Sequence, residues 1–445
     1  MADSRPVALF LPVNSPGHIN TCVAIADRLG QEYAYKCVFA IVGEVLGDGI
    51  EGRGHLLVRL QDKVDEKQIA DNGGQEEKSF IRAFESNSEK FASAKTPLET
   101  MAAVSGFFEN AYVPKLIRNF HQIGPIIQEF NPAITVVEDF FVAPYLLTNS
   151  DRYPWIRVNS SSPLSLLKAK LASGIKPASW IGTELKTKEE RQRLRQEEPD
   201  EWQKLLDKWE NESGQTRRFL SNACKLLRNY YASQGLGHWL LGAQASSNTP
   251  DFPCINSPYV NFYMCSEALD YTEEDDILEY PSKFLRCESL MRNSLPSQTE
   301  QKRWLDLIKA KSVGKEACVL FSLGSIVSAD SKLVQRYLDI LGQDQRRLYI
   351  VSKGLLNQDA KLNEQNTIGD TYIPQPFLLQ HVQLAVVHGG NNGVTECLYN
   401  GVPMIVTPMF SDQFDNAQRV VDKRLGARLN LHNCTQQELD RKSVV

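Results

Sequence analysis

The stretch from Tyr372 to Asn416, YIPQPFLLQHVQLAVVHGGNNGVTECLYNGVPMIVTPMFSDQFDN, gathers more chemistry than any other part of the chain. Its apolar run LAVV reads as a strand that delivers His388 at its carboxyl end. Gly389 and Gly390 follow, and glycines there allow a tight turn and a close approach of main chain to a ligand. Asn392 and Gly393 then open a helix. The first N–H groups of a helix have no intrahelical acceptor, so this end suits an anion such as a diphosphate. Glu396 falls on the same helical face. A carboxylate in that place can accept two hydrogen bonds from vicinal hydroxyls, such as those of a ribose. The run PMIVT reads as the next strand, and the loop after it carries Asp412 and Gln413. Open α/β sheets bind ligands at the carboxyl ends of their strands, and an acid beside an amide suits sugar hydroxyls.

A second candidate is His18, which follows Pro16-Gly17 just after the apolar run Val7–Val13. That spacing sets it on the rim of a sheet, at the start of a helix. There a histidine can be a structural residue or a general base. Another apolar run, Ala133–Val137, ends in Glu138-Asp139. Side chains alternate along a strand, so these two acids cannot both face one histidine.

Elements of an α/β protein must position these groups. Ile19, Val23, Ala26 and Leu29 share one face of a helix predicted over His18–Leu29. Strands are predicted at Val7–Val13, Cys37–Val42, Ala133–Val137 and Trp155–Val158, the last ending in a serine cluster. A second series runs through Ala317–Leu323, which precedes Gly324-Ser325, then Leu348–Val351, Leu384–Val387 and Pro403–Thr407. Alternating strands and helices imply parallel sheets. The polar, proline-bearing stretch MRNSLPSQTE reads as a linker. The expected organisation is therefore two α/β domains, residues 1–290 and 301–445, joined by residues 291–300.

Composition narrows the partners. With 42% apolar and 23% charged residues, the 445-residue chain reads as globular and large enough for two cores. A net charge of −5 without a basic cluster excludes nucleic acid as a partner. Nine scattered cysteines, with no metal-ligand spacing, read as free thiols in a reducing compartment. No secretory signal and no run of about 18 apolar residues occurs, so no membrane span is expected and a cytoplasmic location is. The charged stretch Leu185–Trp209 reads as a solvated helix pair broken at Pro199, and the acidic run Glu273–Asp276 as a solvated loop.

The Tyr372–Asn416 segment resembles the signature box of the family-one UDP-glycosyltransferases, which have the two-domain GT-B fold. Pro374-Gln375, His388, Gly390, Asn392, Glu396, Gly401-Val402-Pro403, Pro408 and Asp412-Gln413 carry the likeness. The resemblance implies that Tyr372, in place of a tryptophan, stacks on uracil. Ile373 would bond the base edge through its backbone, with Gln375 near base and ribose. His388, Asn392 and Gly393 would hold the diphosphate, with Ser325 assisting. Glu396 would hold the ribose, and Asp412 and Gln413 the transferred sugar. Asn391 stands where many members carry a second tryptophan, beside phosphate and sugar. In the segment PVNSPGHIN, His18 matches the family's catalytic base, and Gly17 lines the donor site. Asp139 matches the acid that bonds the second ring nitrogen of that base. The likeness is specific at residues 12–20, 134–139, 319–325 and 372–416. It is weak over 160–290, where the acceptor pocket is expected. The family continues beyond this chain's last helix with one that crosses back to the first domain, so the resemblance implies a truncated product or a missing brace.

What the resemblance implies is an inverting, metal-independent transfer of a hexose, glucose first, from UDP to a hydroxyl of a small apolar acceptor, by a monomer without a cofactor. The role envisaged is detoxification or secondary-metabolite conjugation. UDP-N-acetylglucosamine is the second choice of donor. A non-catalytic UDP-sugar-binding protein and a UDP-sugar epimerase of the same fold are the rival readings.

Overall fold

The computed structural model describes residues 4–42, 50–61, 97–138, 142–170, 188–239, 255–271, 277–279, 283–288, 295–328, 330–354, 357–430 and 434–442. Two parallel sheets organise them. The first half of the chain supplies β1 (Val7–Leu11), β2 (Lys36–Val42), β3 (Leu56–Leu60), β4 (Ile134–Val137), β5 (Trp155–Asn159), β6 (Lys168–Ala169), β7 (Asn261–Met264), β8 (Leu278–Glu279) and β9 (Phe284–Cys287). Seven of these form one sheet in the order β3-β2-β1-β4-β5-β7-β9, while β6 and β8 pair antiparallel beside it. The second half supplies β10 (Ala317–Ser322), β11 (Arg347–Ser352), β12 (Thr367–Asp370), β13 (Leu384–Val387), β14 (Met404–Val406) and β15 (Gly426–Arg428), in the order β12-β11-β10-β13-β14-β15. Each sheet reverses direction beside its first strand, between β1 and β4 and between β10 and β13. Such switch points open a crevice at the strand carboxyl ends.

The near-continuous apolar runs follow from burial on both faces. In β1, Ala8 and Phe10 pack in one apolar cluster, and Leu9 and Leu11 in another. Phe10 stacks on Phe39 of β2 with ring centroids 4.7 Å apart. The second cluster continues through Val319, Phe321, Val386 and Ile405, so one apolar core runs through both halves.

Every predicted strand is present, within two residues at either end. Seven others, β3, β6, β7, β8, β9, β12 and β15, were not read from the sequence; each has two to five residues. The predicted first helix extends to Pro16–Tyr33, with Pro16 in its first turn. Residues 291–294 of the expected linker lie outside the described residues. A helix, Gln298–Lys311, begins inside the linker, because Ser297 accepts a hydrogen bond from the Glu300 N–H at 3.2 Å.

The charged middle does break at Pro199, into helices Lys188–Glu197 and Pro199–Ser233. It is not merely solvated. Trp209 is fully buried among Leu164, Leu167, Tyr271 and Ile277. Ala223, Leu227 and Tyr231 enter the main core. The acidic run Glu273–Asp276 lies outside the described residues. Near the end, helix Gln436–Lys442 buries Leu439, and its Asp440 meets both Arg346 and Arg347 at 2.6 Å. Among the described residues, no helix is long and apolar enough to cross a membrane. No disulfide joins their eight cysteines.

Candidate active site

His18 stands in the first turn of helix Pro16–Tyr33, at the carboxyl end of β1. Its Nδ1 lies 2.5 Å from Glu138 Oε1, and Glu138 follows the end of β4 across the switch point. Ser160, just beyond β5, completes the group. Its hydroxyl donates to Glu138 Oε1 and lies 3.1 Å from His18 Nδ1. The Glu138 side chain is almost wholly buried, and its Oε2 accepts from the Val13 N–H at 3.4 Å. A buried carboxylate on Nδ1 assigns the proton to that nitrogen and leaves Nε2 as the basic one. Asp139 lies outside the described residues, and the acid brought onto His18 is its neighbour. Sequence reasoning had kept Glu138 as the alternative. It missed Ser160, for which the serine run after β5 was the available signal.

The second group is built at the switch point between β10 and β13. His388 leaves β13 and packs between Gly324 and Gly390, where a Cβ on either glycine would collide with its ring. Burial pushes its pKa down to about 4, so the ring is uncharged at neutral pH. Its Nδ1 is buried and meets no hydrogen-bond partner among the described residues. Gly389 takes a left-handed backbone (φ 91°), and a Cβ there would lie 2.6 Å from Val406 Cγ1. Its carbonyl accepts from Asn416 Nδ2 at 2.9 Å, which ties this turn to helix Gln413–Asp422 after β14. Helix Asn391–Tyr399 then starts from Gly390 without a side-chain cap, so its end N–H groups are not matched by a capping side chain. Ser325 sits beside this turn, in the short helix Gly324–Val327 after β10.

Around that helix the remaining predicted residues collect. Glu396 is buried and accepts from Gln375 Nε2 at 2.6 Å. The Ile373 side chain is in the core, and its carbonyl accepts from the Gln375 N–H at 2.8 Å. Tyr372 is 61% exposed, with its ring clear of the core. Asp412 follows Ser411, whose left-handed backbone (φ 55°) is uncommon outside glycine and persists where the surroundings enforce it. Burial pushes the Asp412 carboxyl up to about 6, against the pull of the Ser162 N–H and of His18.

Gln413, expected to hold the transferred sugar, commits half of its amide within the protein. Its Oε1 accepts from the Met409 and Phe410 N–H groups at 2.9 and 3.3 Å. The amide oxygen therefore braces its own loop, and the amide nitrogen is what it has left to offer. The Asn391 side chain, expected beside phosphate and sugar, donates to the Met264 carbonyl at 2.8 Å.

The two groups meet. Asn392 Nδ2 donates to the Gly17 carbonyl at 2.8 Å, and the Ser162 N–H donates to Asp412 Oδ2 at 3.1 Å. Two helix N-termini thus face each other, with His18 on one and the uncapped N–H groups on the other. Both contribute partial positive charge to the space between them.

Residues 277–443 match the family model described as "UDP-glucoronosyl and UDP-glucosyl transferase". UDP-glucuronosyltransferase 1A9 and UDP-glucuronosyltransferase 1A1 of Homo sapiens are each 35% identical over 130 residues, 28% of this chain and 24% of theirs. The matched stretch thus spans about a quarter of those relatives' length. The glycotransferase of kitacinnamycin superposes with a TM-score of 0.59 at 15% identity, covering 99% of this chain and 90% of that one. The calicheamicin glycosyltransferase CalG4 gives 0.54 at 13% identity, covering 98% and 88%. At these identities the likeness is one of fold, and the fold is GT-B.

Proposed function

From the match of residues 277–443 to the UDP-glucuronosyl and UDP-glucosyl transferase family model, we propose that the chain belongs to that family and moves a hexose from a UDP-sugar to a hydroxyl of a small lipophilic acceptor. The observation that carries this reading is the 2.8 Å bond from Asn392 to the Gly17 carbonyl. It sets the helix end suited to a diphosphate against the turn that bears His18. A sugar leaving that diphosphate would have its anomeric carbon within reach of an acceptor held by His18.

In the proposed reaction His18 Nε2 takes the acceptor proton while Glu138 and Ser160 hold the ring. The acceptor oxygen attacks the anomeric carbon on the face opposite UDP, and the configuration inverts. The departing diphosphate gains charge, which the helix N–H groups stabilise without a metal ion. His388 is uncharged, and its buried Nδ1 meets no hydrogen-bond partner among the described residues, so that nitrogen is open to a ligand.

Glucose is the donor sugar we favour, although the matched human relatives are named as glucuronosyltransferases. A uronate needs a cation, and no Arg or Lys lies between Tyr372 and Gln418. The nearest, Arg419, is buried and already donates to the carbonyls of Leu269 and Asp270. The Asp412 carboxylate would repel a second carboxylate, whereas neutral hydroxyls can donate to it. The buried thiols suit a reducing compartment such as the cytoplasm.

UDP release tests this reading. UDP-glucose, UDP-galactose, UDP-glucuronate and UDP-N-acetylglucosamine are each offered with a panel of phenols and alcohols, in the presence of EDTA. The expected result is acceptor-dependent release, fastest with UDP-glucose and unaffected by the chelator. No release with any pair, or release that ignores the acceptor, would sink the transferase reading. A faster reaction with UDP-glucuronate would sink the choice of sugar alone.

A further inference from the structure

The segment from Met264 to Tyr271, which leaves β7 of the first sheet, lies across the donor-site helices of the second half. Asn391, at the start of one helix, donates to the Met264 carbonyl. Arg419, on helix Gln413–Asp422, donates to the carbonyls of Leu269, at 3.0 Å, and Asp270, and its guanidinium lies 4.1 Å from the Tyr271 ring centre. The Tyr271 hydroxyl donates to Asp415 in the first turn of the same helix. Asp270 is itself pinned, by the Tyr263 hydroxyl at 2.9 Å and Arg286 at 3.2 Å. Cys265 and Leu269 pack in the apolar core of the second sheet. The segment is therefore a strap: it belongs to one sheet by sequence and to the other by packing.

The strap grips the turn that immediately follows Asp412 and Gln413. We propose that Tyr271 is a positioning residue for the donor sugar, acting through Asp415 to fix the first turn of helix Gln413–Asp422 and hence the placement of Asp412 and Gln413. This rests on the donor site described above. Tyr271 is buried, 5% exposed, and its hydroxyl donates to Asp415, so it acts on the sugar through that helix. The diphosphate and ribose groups sit on a different helix, Asn391–Tyr399, so the uridine diphosphate part of the ligand does not depend on the Tyr271 hydroxyl.

The bond carries its own signature. Burial pushes the Asp415 carboxyl up to about 7. The groups that bear on it are the Tyr271 hydroxyl from the strap, Arg419 and Asp422 on its own helix, and Asp412 in the preceding loop. Tyr271 and Arg419 favour the ionised form, while Asp412 and Asp422 oppose it. With a folded-state pKa above the unfolded value, ionising Asp415 lowers stability as pH rises through about 7, and the Tyr271 hydroxyl reduces that loss. Deleting the hydroxyl is therefore felt above that pH and little below it.

The test is calorimetric titration of the parent and Tyr271→Phe with UDP and with UDP-glucose, together with thermal denaturation across pH. Phenylalanine keeps the ring under Arg419. The variant should lose about tenfold in affinity for UDP-glucose while its UDP affinity stays within about twofold, the size of one lost hydrogen bond to a charged group. Its deficit in Tm should be larger at pH about 8.5 than at about 5.5. Equal losses for the two ligands, no loss for either, or a Tm deficit independent of pH would overturn the proposal. If Tyr271→Phe fails to fold, Asp415→Asn gives the same UDP-glucose-against-UDP comparison. A parent that binds neither ligand would instead sink the donor site itself.

Discussion

The two walls of the cleft are encoded differently. The proposed donor wall comes almost entirely from one stretch, Tyr372–Asn416, folded around β13, helix Asn391–Tyr399 and β14. The base on the other wall needs three separated segments: Glu138 stands 120 positions from His18, and Ser160 stands 142. In the proposed reaction the donor wall would act through main-chain N–H groups and an uncharged histidine, which suits a ligand part that is the same in every turnover. The base wall works with side chains whose proton positions are set by one another. A change in the donor wall should therefore weaken binding in proportion to the one bond lost. A change in the base wall should lower the rate and leave UDP binding alone.

Replacing the base gives the largest separation. His18→Ala should lower the transfer rate to alcohols and weakly acidic phenols by roughly 10²–10⁴-fold, the usual size of general base catalysis. UDP affinity by calorimetry should stay unchanged, because the predicted UDP contacts lie on the other wall. Parent-like turnover with a weakly acidic hydroxyl would remove His18 from the mechanism.

Next in size is the acid that orients it. Glu138→Gln removes a charge-assisted hydrogen bond, on the order of 1.5–3 kcal/mol, or about 10–100-fold in rate. Asp139→Asn should cost less, because the geometry gives the Nδ1 contact to Glu138 at 2.5 Å. Measured kcat values for the two variants decide between neighbouring acids. If Asp139→Asn is the slower enzyme, the orienting role belongs to Asp139, as the family likeness implied.

That pair of acids marks where the sequence could be read and where it could not. The donor wall was legible because its residues are contiguous, and an apolar strand, glycines and a helix start follow in an order with few mechanical outcomes. The fold was legible for the same reason: runs such as VALFLPV and ACVLFSL are apolar throughout because both faces are buried. The short strands β12 and β15 gave no such signal, since each lies at a sheet edge with only three or four residues. Which of Glu138 and Asp139 meets His18 depends on a pairing of β1 with β4 across more than a hundred residues, and local pattern does not fix it. Ser160 was hidden for the same reason. What Gln413 keeps for a ligand was not legible either, because an amide's polar inventory does not reveal that two nearby N–H groups already claim its oxygen.

The smallest expected effect probes the donor wall's proportionality. Glu396 is the residue the family likeness assigns to the ribose, and its Oε2 already accepts from Gln375 Nε2 at 2.6 Å. Glu396→Ala deletes the charged acceptor and should weaken UDP by on the order of 1.5–3 kcal/mol. Gln375→Ala leaves the carboxylate in place and removes one neutral donor that steadies it. Its cost in UDP affinity should be only about 0.5–1.5 kcal/mol. Because the two residues share a bond, their effects should not add. Once Glu396 is alanine, removing the Gln375 amide takes away a contact that no longer exists, so the double variant should bind UDP about as well as Glu396→Ala alone. Calorimetry of the four proteins reads this directly. Full additivity would mean that Gln375 contacts the nucleotide in its own right, and the donor wall would then contain one more direct ligand than the Gln375–Glu396 bond implies.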